Sequence, residues 1–257
     1  MRRMLSLITV IGAAYAGACA WLYFGQRTMI YFPPPYTART AANTDTLRVA
    51  DAQLKLTVRP NAGPNALVYF GGNAEDVAAN LPDFAEAFPE HALYLLHYRG
   101  YGGSSGSPSE EVLHADALAL FDKVRATHPN VVVVGRSLGS GVAIRLASER
   151  PAAGLALVTP FDSIEAIAAQ HYPWVPVSWL LLDKYESWRH APRIRVPTLV
   201  LVAEHDRIIP GDSTDRLLTR FTPGIAMRRL ISGVDHNSIS SSPQYLTELK
   251  GLLQRVR

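Results

Sequence analysis

The chain predicts an α/β fold in which helices cover both faces of a mostly parallel, eight-stranded sheet. Three observations carry that prediction. Short apolar, β-branched runs alternate with longer amphipathic stretches, as strand–helix repeats do. The most apolar run, Asn130-Val131-Val132-Val133-Val134, lacks polar alternation and suits a strand buried on both faces. It leads directly into Gly135-Arg136-Ser137-Leu138-Gly139, the pattern of a sharp strand-to-helix turn.

The elements follow in order. Residues 1–25 read as one apolar helix, and residues 26–40 as an extended linker stiffened by Pro33-Pro34-Pro35. The globular domain then spans residues 41–257. Residues 47–49 and 54–58 read as an antiparallel hairpin at a sheet edge. After the turn cluster Asn61-Ala62-Gly63-Pro64-Asn65, residues 66–70 form a strand ending in Gly71-Gly72-Asn73. Residues 75–87 read as helical, with Pro82 breaking or kinking them. Residues 91–98 are a strand, followed by a glycine-rich loop to Gly106. Residues 109–127 carry Val112, Leu113, Ala117, Leu120, Phe121 and Val124 at helical spacing. The valine strand 130–134 and helix 138–149 come next. Strand 154–158 precedes helix 163–170, and residues 172–182 are aromatic-rich and broken by proline. Strands at 198–203 and 226–231 and a helix at 245–256 close the chain.

At 257 residues the chain fits one large domain, and 48% apolar content supports a sizeable core. The net charge of +3 is small and its cations are scattered, so nucleic acid is not an expected partner. Cys19 is the only cysteine, which excludes an intramolecular disulfide and a cysteine metal cluster. Histidines lack H-E-x-x-H spacing, and no metal is expected. The Gly100 loop fails the dinucleotide pattern at Ser105, and no phosphate loop occurs, so no cofactor is expected either.

Residues 4–24 carry no charge and reach about 31 Å as a helix at about 1.5 Å per residue, enough to span a bilayer. Ala16-Gly17-Ala18 before Cys19 resembles a processing site, which keeps cleavage or lipidation open. The apolar run continues past it through Trp21 and Tyr23, which favours an uncleaved anchor. Arg2 and Arg3 outweigh Arg27, placing the N-terminus in the cytoplasm and the domain on the non-cytoplasmic, periplasmic side.

A serine hydroxyl needs a base in hydrogen-bond reach, and the base needs a third group to hold its tautomer. Ser137 sits at the strained turn, before a helix whose dipole favours negative charge. Asp206 follows strand 198–203 and His236 follows strand 226–231, in the order Ser, acid, His. Asp162 and Glu204 are rival acids; Asp235 and His205 read as surface or turn residues. The oxyanion donors are expected to be the amides of Leu138 and Asn73, with Gly72 as second choice for the latter. Gly72, Tyr101, Phe161 and Trp174 are the expected substrate-lining residues. Tyr172, Trp174, Trp179 and Leu180 form either a small acyl-binding flap or core.

Three stretches carry a family resemblance. Gln26-Arg27-x-x-Ile30-Tyr31-x-Pro33, Tyr98-Arg99-Gly100-Tyr101-Gly102-x-Ser104-x-Gly106 and Gly135-Arg136-Ser137-Leu138-Gly139 resemble signatures of membrane-anchored α/β-hydrolase-domain serine hydrolases. That branch contains protein depalmitoylases, monoacylglycerol-type lipases and bacterial members. The resemblance covers nearly the whole chain and implies an α/β-hydrolase fold with a minimal cap. It also implies a Ser137–His236–Asp206 triad and an acyl ester or thioester substrate. Relatives usually have His-Gly-Asn where this chain has Gly71-Gly72-Asn73, so the geometry of that loop is expected to differ. Two other readings stand beside this one: a serine peptidase of the prolyl-oligopeptidase-related type, and a non-catalytic binding protein on the same fold.

Overall fold

The structure is a computed structural model that describes residues 2–35, 37 and 43–256. Its first element, α1 (Arg2–Ile30), is a 29-residue helix, long and apolar enough to cross a membrane. It runs five residues past the expected helix end. Of the expected linker, residues 31–35 and 37 are non-helical, and residues 36 and 38–40 lie outside the described residues, as do 41 and 42. The extra turn is stabilised by tertiary contact: Gln26 and Tyr31 are buried against the domain.

Eight strands form one sheet in the order β1-β2-β4-β3-β5-β6-β7-β8. β1 (Thr44–Arg48) and β2 (Gln53–Arg59) make the expected hairpin, and β2 also pairs antiparallel with β4 (His91–Leu96). β3 (Asn65–Phe70), β4, β5 (Asn130–Arg136), β6 (Gly154–Val158), β7 (Thr198–Ala203) and β8 (Ala226–Ile231) are joined by parallel ladders. The valine run explains its place at the centre. Val131 and Val133 face one core, and Val132 and Val134 face the other. Period-two alternation with both faces apolar requires cover on both sides.

That cover divides between the two faces. α3 (Glu110–Arg125) and α4 (Leu138–Ala147) pack one face through Leu113, Leu120, Phe121, Val142 and Ile144. α2 (Leu81–Ala87) and α9 (Pro243–Arg255) pack the other through Phe84, Tyr245, Leu249 and Leu252. Pro82 breaks the expected 75–87 helix rather than kinking it. A 3₁₀ turn, Val77–Asn80, precedes it, and Pro82 falls in the first turn of α2, where its missing N–H has no intrahelical role. Ser109 caps α3 by accepting from the Val112 N–H, and Ser163 caps α5 (Ile164–His171) by accepting from the Ala166 N–H.

The proline-broken stretch contains one short turn of helix, α6 (Val177–Leu180). Two helices went unpredicted, α7 (Ser187–His190) and α8 (Gly211–Leu218). α8 opens on Pro210 and Gly211, residues that read as loop in sequence, and it buries few apolar side chains.

Strand order places the site. After β3 the chain turns to α2 on one face; after β5 it turns to α4 on the opposite face. Loops diverging from adjacent strand ends leave a crevice at the carboxyl edge of the sheet. Gly71-Gly72-Asn73 and Ser137 flank that crevice.

Candidate active site

Ser137 joins β5 to α4 at φ 49° and ψ −117°, a conformation that costs a non-glycine residue about 1–3 kcal/mol. The turn is so tight that neither flanking glycine could carry a side chain. A Cβ on Gly135 would strike the Gly139 carbonyl, and one on Gly139 would strike the Phe70 carbonyl. The Ser137 N–H donates to the Val158 carbonyl at 2.8 Å, which ties the elbow to the end of β6. Its side chain is thereby aimed outward from the sheet edge.

The three expected side chains meet. His236 Nε2 lies 3.0 Å from Ser137 Oγ, and His236 Nδ1 lies 2.8 Å from Asp206 Oδ2. Asp206 is held by its other oxygen, which accepts from the Ile208 and Ile209 N–H groups at 2.9 and 2.8 Å. With Nδ1–H donated to the carboxylate, Nε2 is free to accept the serine proton. The His236 and Asp206 side chains are each 7% exposed, so the pair is shielded from water.

The rival acids are engaged elsewhere. Asp162 accepts from Ser213 Oγ at 2.6 Å and from Arg216 Nε at 2.7 Å. Glu204 accepts from the Gly233 N–H, Asp235 folds its own turn through Asn237 and Ser238, and His205 is a surface residue.

Behind these three side chains lies a network that the sequence did not reveal. Glu75, beneath the Gly71-Gly72-Asn73 loop, accepts from the Gly72 N–H at 2.6 Å and from the Tyr69 hydroxyl at 2.7 Å. Arg136 Nη1 donates to the same carboxylate at 2.9 Å, and its Nη2 donates to the His236 carbonyl at 3.0 Å. One guanidinium therefore links the Gly71-Gly72-Asn73 loop, the elbow and the histidine loop. Burial works against the Glu75 charge. The Arg136 cation, the Tyr69 hydroxyl and the Gly72 amide outweigh it and hold the carboxyl below its ordinary range. Arg136 occupies the variable position of G-x-S-x-G, where only its length and charge could have hinted at this role.

The Gly72 amide, second choice as an oxyanion donor, is thus already bonded to Glu75. Gly72 does lie against the nucleophile: a Cβ there would sit 3.5 Å from Ser137 Cβ. Asn73 Oδ1 accepts from the Phe32 N–H at 2.8 Å and the Tyr101 hydroxyl at 3.0 Å. Among the described residues, no hydrogen bond occupies the Asn73 N–H. Leu138 is the first residue of α4, so its N–H has no intrahelical partner.

The expected lining set divides. Tyr101 is buried and turns its hydroxyl to Asn73, so it braces the loop rather than offering that group to a ligand. Phe161 is also buried and abuts Gly141 of α4. Trp174 lies in the flap, half-exposed, with its ring edge-on to Tyr15 of α1 and its carbonyl accepting from the Tyr15 hydroxyl. Its place is beside the N-terminal helix.

A serine elbow on a mostly parallel sheet, with an acid and a histidine on later strand ends, defines the α/β-hydrolase class. The chain belongs to the S33-type α/β-hydrolase family. The profile described as serine aminopeptidase, S33, matches residues 66–182. An uncharacterised protein of Mycobacterium tuberculosis is 32% identical over 254 residues, covering 91% of this chain and 89% of that protein. Lysophosphatidylserine lipase ABHD12 of Xenopus tropicalis is 35% identical over 186 residues, spanning 63% of this chain and 48% of the lipase. In fold the chain is similar to the Pyrococcus furiosus esterase Pf2001, with a TM-score of 0.67 at 15% identity over 88% of this chain and 97% of the esterase.

Proposed function

We propose that this protein is a membrane-anchored serine hydrolase that cleaves carboxylic esters or thioesters of acyl chains. The observation that carries the reading is the continuous hydrogen-bonded line from Ser137 Oγ through His236 to Asp206. His236 takes the hydroxyl proton as Ser137 attacks the acyl carbonyl. The Leu138 and Asn73 amides receive the developing oxyanion, each such donor being worth about 2.7–4 kcal/mol. Asp206 holds the imidazole and stabilises its cation. His236 returns the proton to the leaving alkoxide or thiolate. Water, activated by the same imidazole, then releases the acyl group from the serine.

The lipase activity of the ABHD12 relative supports the acyl substrate. The long apolar α1 supports retention at a membrane, and the Arg2-Arg3 asymmetry favours a catalytic domain on the periplasmic side. The family description as a serine aminopeptidase supports a second reading, peptide hydrolysis by the same triad. Turnover of p-nitrophenyl esters and an acyl thioester, set against aminoacyl amides, separates the two.

Ser137→Ala is expected to abolish labelling by a fluorophosphonate and to cut ester turnover by about 10⁶-fold, by analogy with subtilisin. Labelling that survives the substitution removes Ser137 from the mechanism. Loss of all labelling and turnover in the unaltered protein would leave a binding protein on a hydrolase fold.

A further inference from the structure

The signature Gln26-Arg27-x-x-Ile30-Tyr31 plays no part in the chemistry above, yet it is among the most tightly held segments of the chain. Gln26 Nε2 donates to the Leu180 carbonyl at 3.1 Å, and its Oε1 accepts from the Leu182 N–H at 2.7 Å. Arg27 pairs with Asp183 at 3.0 Å. The Tyr31 hydroxyl bonds Asp183 at 3.1 Å and the Tyr185 hydroxyl at 2.9 Å. These bonds fasten the end of α1 along residues 180–185 and leave a space between the helix and the flap.

That space is an apolar groove of about 200 Å³. Leu22, Met29 and Ile30 of α1 form one wall, and Ile164, Ile167 and Leu181 contribute to the other. Gln26 also reaches it, but both ends of its amide are bonded, so it offers no free polar group. Water has little to hold it there, and an apolar occupant fits.

Both walls are continuous in sequence with segments hydrogen-bonded beside Ser137. The α5 wall follows β6, whose last residue, Val158, accepts the Ser137 N–H; the chain reaches Ile164 a few residues later. The α1 wall continues through Tyr31 to Phe32, whose N–H donates to Asn73 of the oxyanion loop. The Ile30 end of the groove is thus two residues from the Phe32–Asn73 bond, and Asn73 follows Gly72, which lies against Ser137. Exposed aromatic residues adjoin lining residues in sequence: Phe24 at 84% beside Tyr23, Trp174 at 53% beside Val175, and Trp179 at 86% beside Leu180. Indole rings of this kind favour the level of lipid headgroups.

We infer that the end of the N-terminal helix is a wall of the substrate site, and that the groove between it and the flap receives the acyl chain of an ester drawn from the bilayer. This rests on the hydrolase reading and deepens it. A helix that both anchors the enzyme and lines its acyl site presents the groove where membrane lipids lie. It also makes the length of the chain, rather than the leaving group, the quantity the groove measures.

The test uses the full chain in phosphatidylcholine–phosphatidylglycerol vesicles. A long-chain alkyl fluorophosphonate with a terminal diazirine is fixed on Ser137, irradiated, and the cross-linked residues are mapped by mass spectrometry. Cross-links within residues 22–30 and 164–181 are expected. Cross-links confined to other segments overturn the groove while leaving the serine in place. Failure of the probe to label Ser137 at all overturns the hydrolase reading itself. In parallel, Ile167→Trp on the α5 wall and Met29→Trp on the α1 wall fill the groove from two sides. Each is expected to lower the ratio of kcat/KM for p-nitrophenyl palmitate over butyrate by about tenfold or more. An unchanged ratio in the variant that still labels with the probe overturns the proposal. Should neither variant label, the cross-link map on the unaltered protein decides.

Discussion

Arg136 has one charge and two duties. Its guanidinium holds Glu75 under the Gly71-Gly72-Asn73 loop and also the carbonyl of His236. Both members of the pair are nearly buried, with side chains 11% and 12% exposed. Removing one partner of such a pair leaves the other charge unpaired. Arg136→Met is therefore expected to lower unfolding free energy by about 3–5 kcal/mol in urea titrations. Arg136→Lys keeps the charge but loses the fork that reaches both loops. It is expected to recover much of the stability and little of the kcat on a short-chain ester. Equal recovery of both would make Arg136 a purely structural residue.

The elbow and the helix clamp belong to the scale of elements. β5 and α4 can meet at Ser137 only because position 139 carries no side chain, since the neighbouring backbone of β3 lies where one would be. Gly139→Ala is expected to yield no folded protein, seen as loss of the cooperative thermal transition. Gly224→Ala is the control: its φ is +83° but the space around it is open, so it should cost only about 1–2 kcal/mol. At the other junction, Asp183 accepts from Arg27, Tyr31 and the Glu110 N–H. Asp183→Ala is expected to speed hydrogen exchange in residues 26–32 and to cost about 1–3 kcal/mol. Unchanged exchange there would mean that apolar packing alone holds the helix end.

For the whole molecule, pH sets a limit through buried histidines. His97 bonds Thr57 across β2 and the end of β4, and its ring packs against Gly102, where a Cβ would collide with it. Burial pushes its pKa down to about 4, against a weak upward pull from Asp76. The unfolded chain, with a histidine pKa near about 6.5, binds the proton first. The stabilisation from keeping His97 neutral is therefore complete above about pH 6.5 and is lost as pH falls towards about 4. One such group gives a slope of at most about 1.4 kcal/mol per pH unit in that window. Urea midpoints should fall between pH 7 and 5, and the fall should be shallower in His97→Gln. An identical slope in that variant removes His97 as the source.

Much of this architecture is local chemistry written along the chain. Four consecutive valines read as a strand covered on both faces, and Gly-Arg-Ser-Leu-Gly after them as a tight turn into a helix. From those facts, the strand count and the order Ser, Asp, His, the fold class and the three side chains at the centre followed. Each depends on short-range periodicity or on position after a strand. The rest required distant residues to be brought together. What occupies the rival Asp162, the Ser213 hydroxyl and the Arg216 guanidinium, could be seen only in three dimensions. The braces at Glu75 and Arg136 lie far apart in sequence and carry no motif of their own. The helix that seemed to end at residue 25 continues to Ile30 because Gln26, Arg27 and Tyr31 find partners near residue 183. Hydrogen-bond satisfaction in a buried space is a property of three-dimensional neighbours. Periodicity along one dimension cannot contain it.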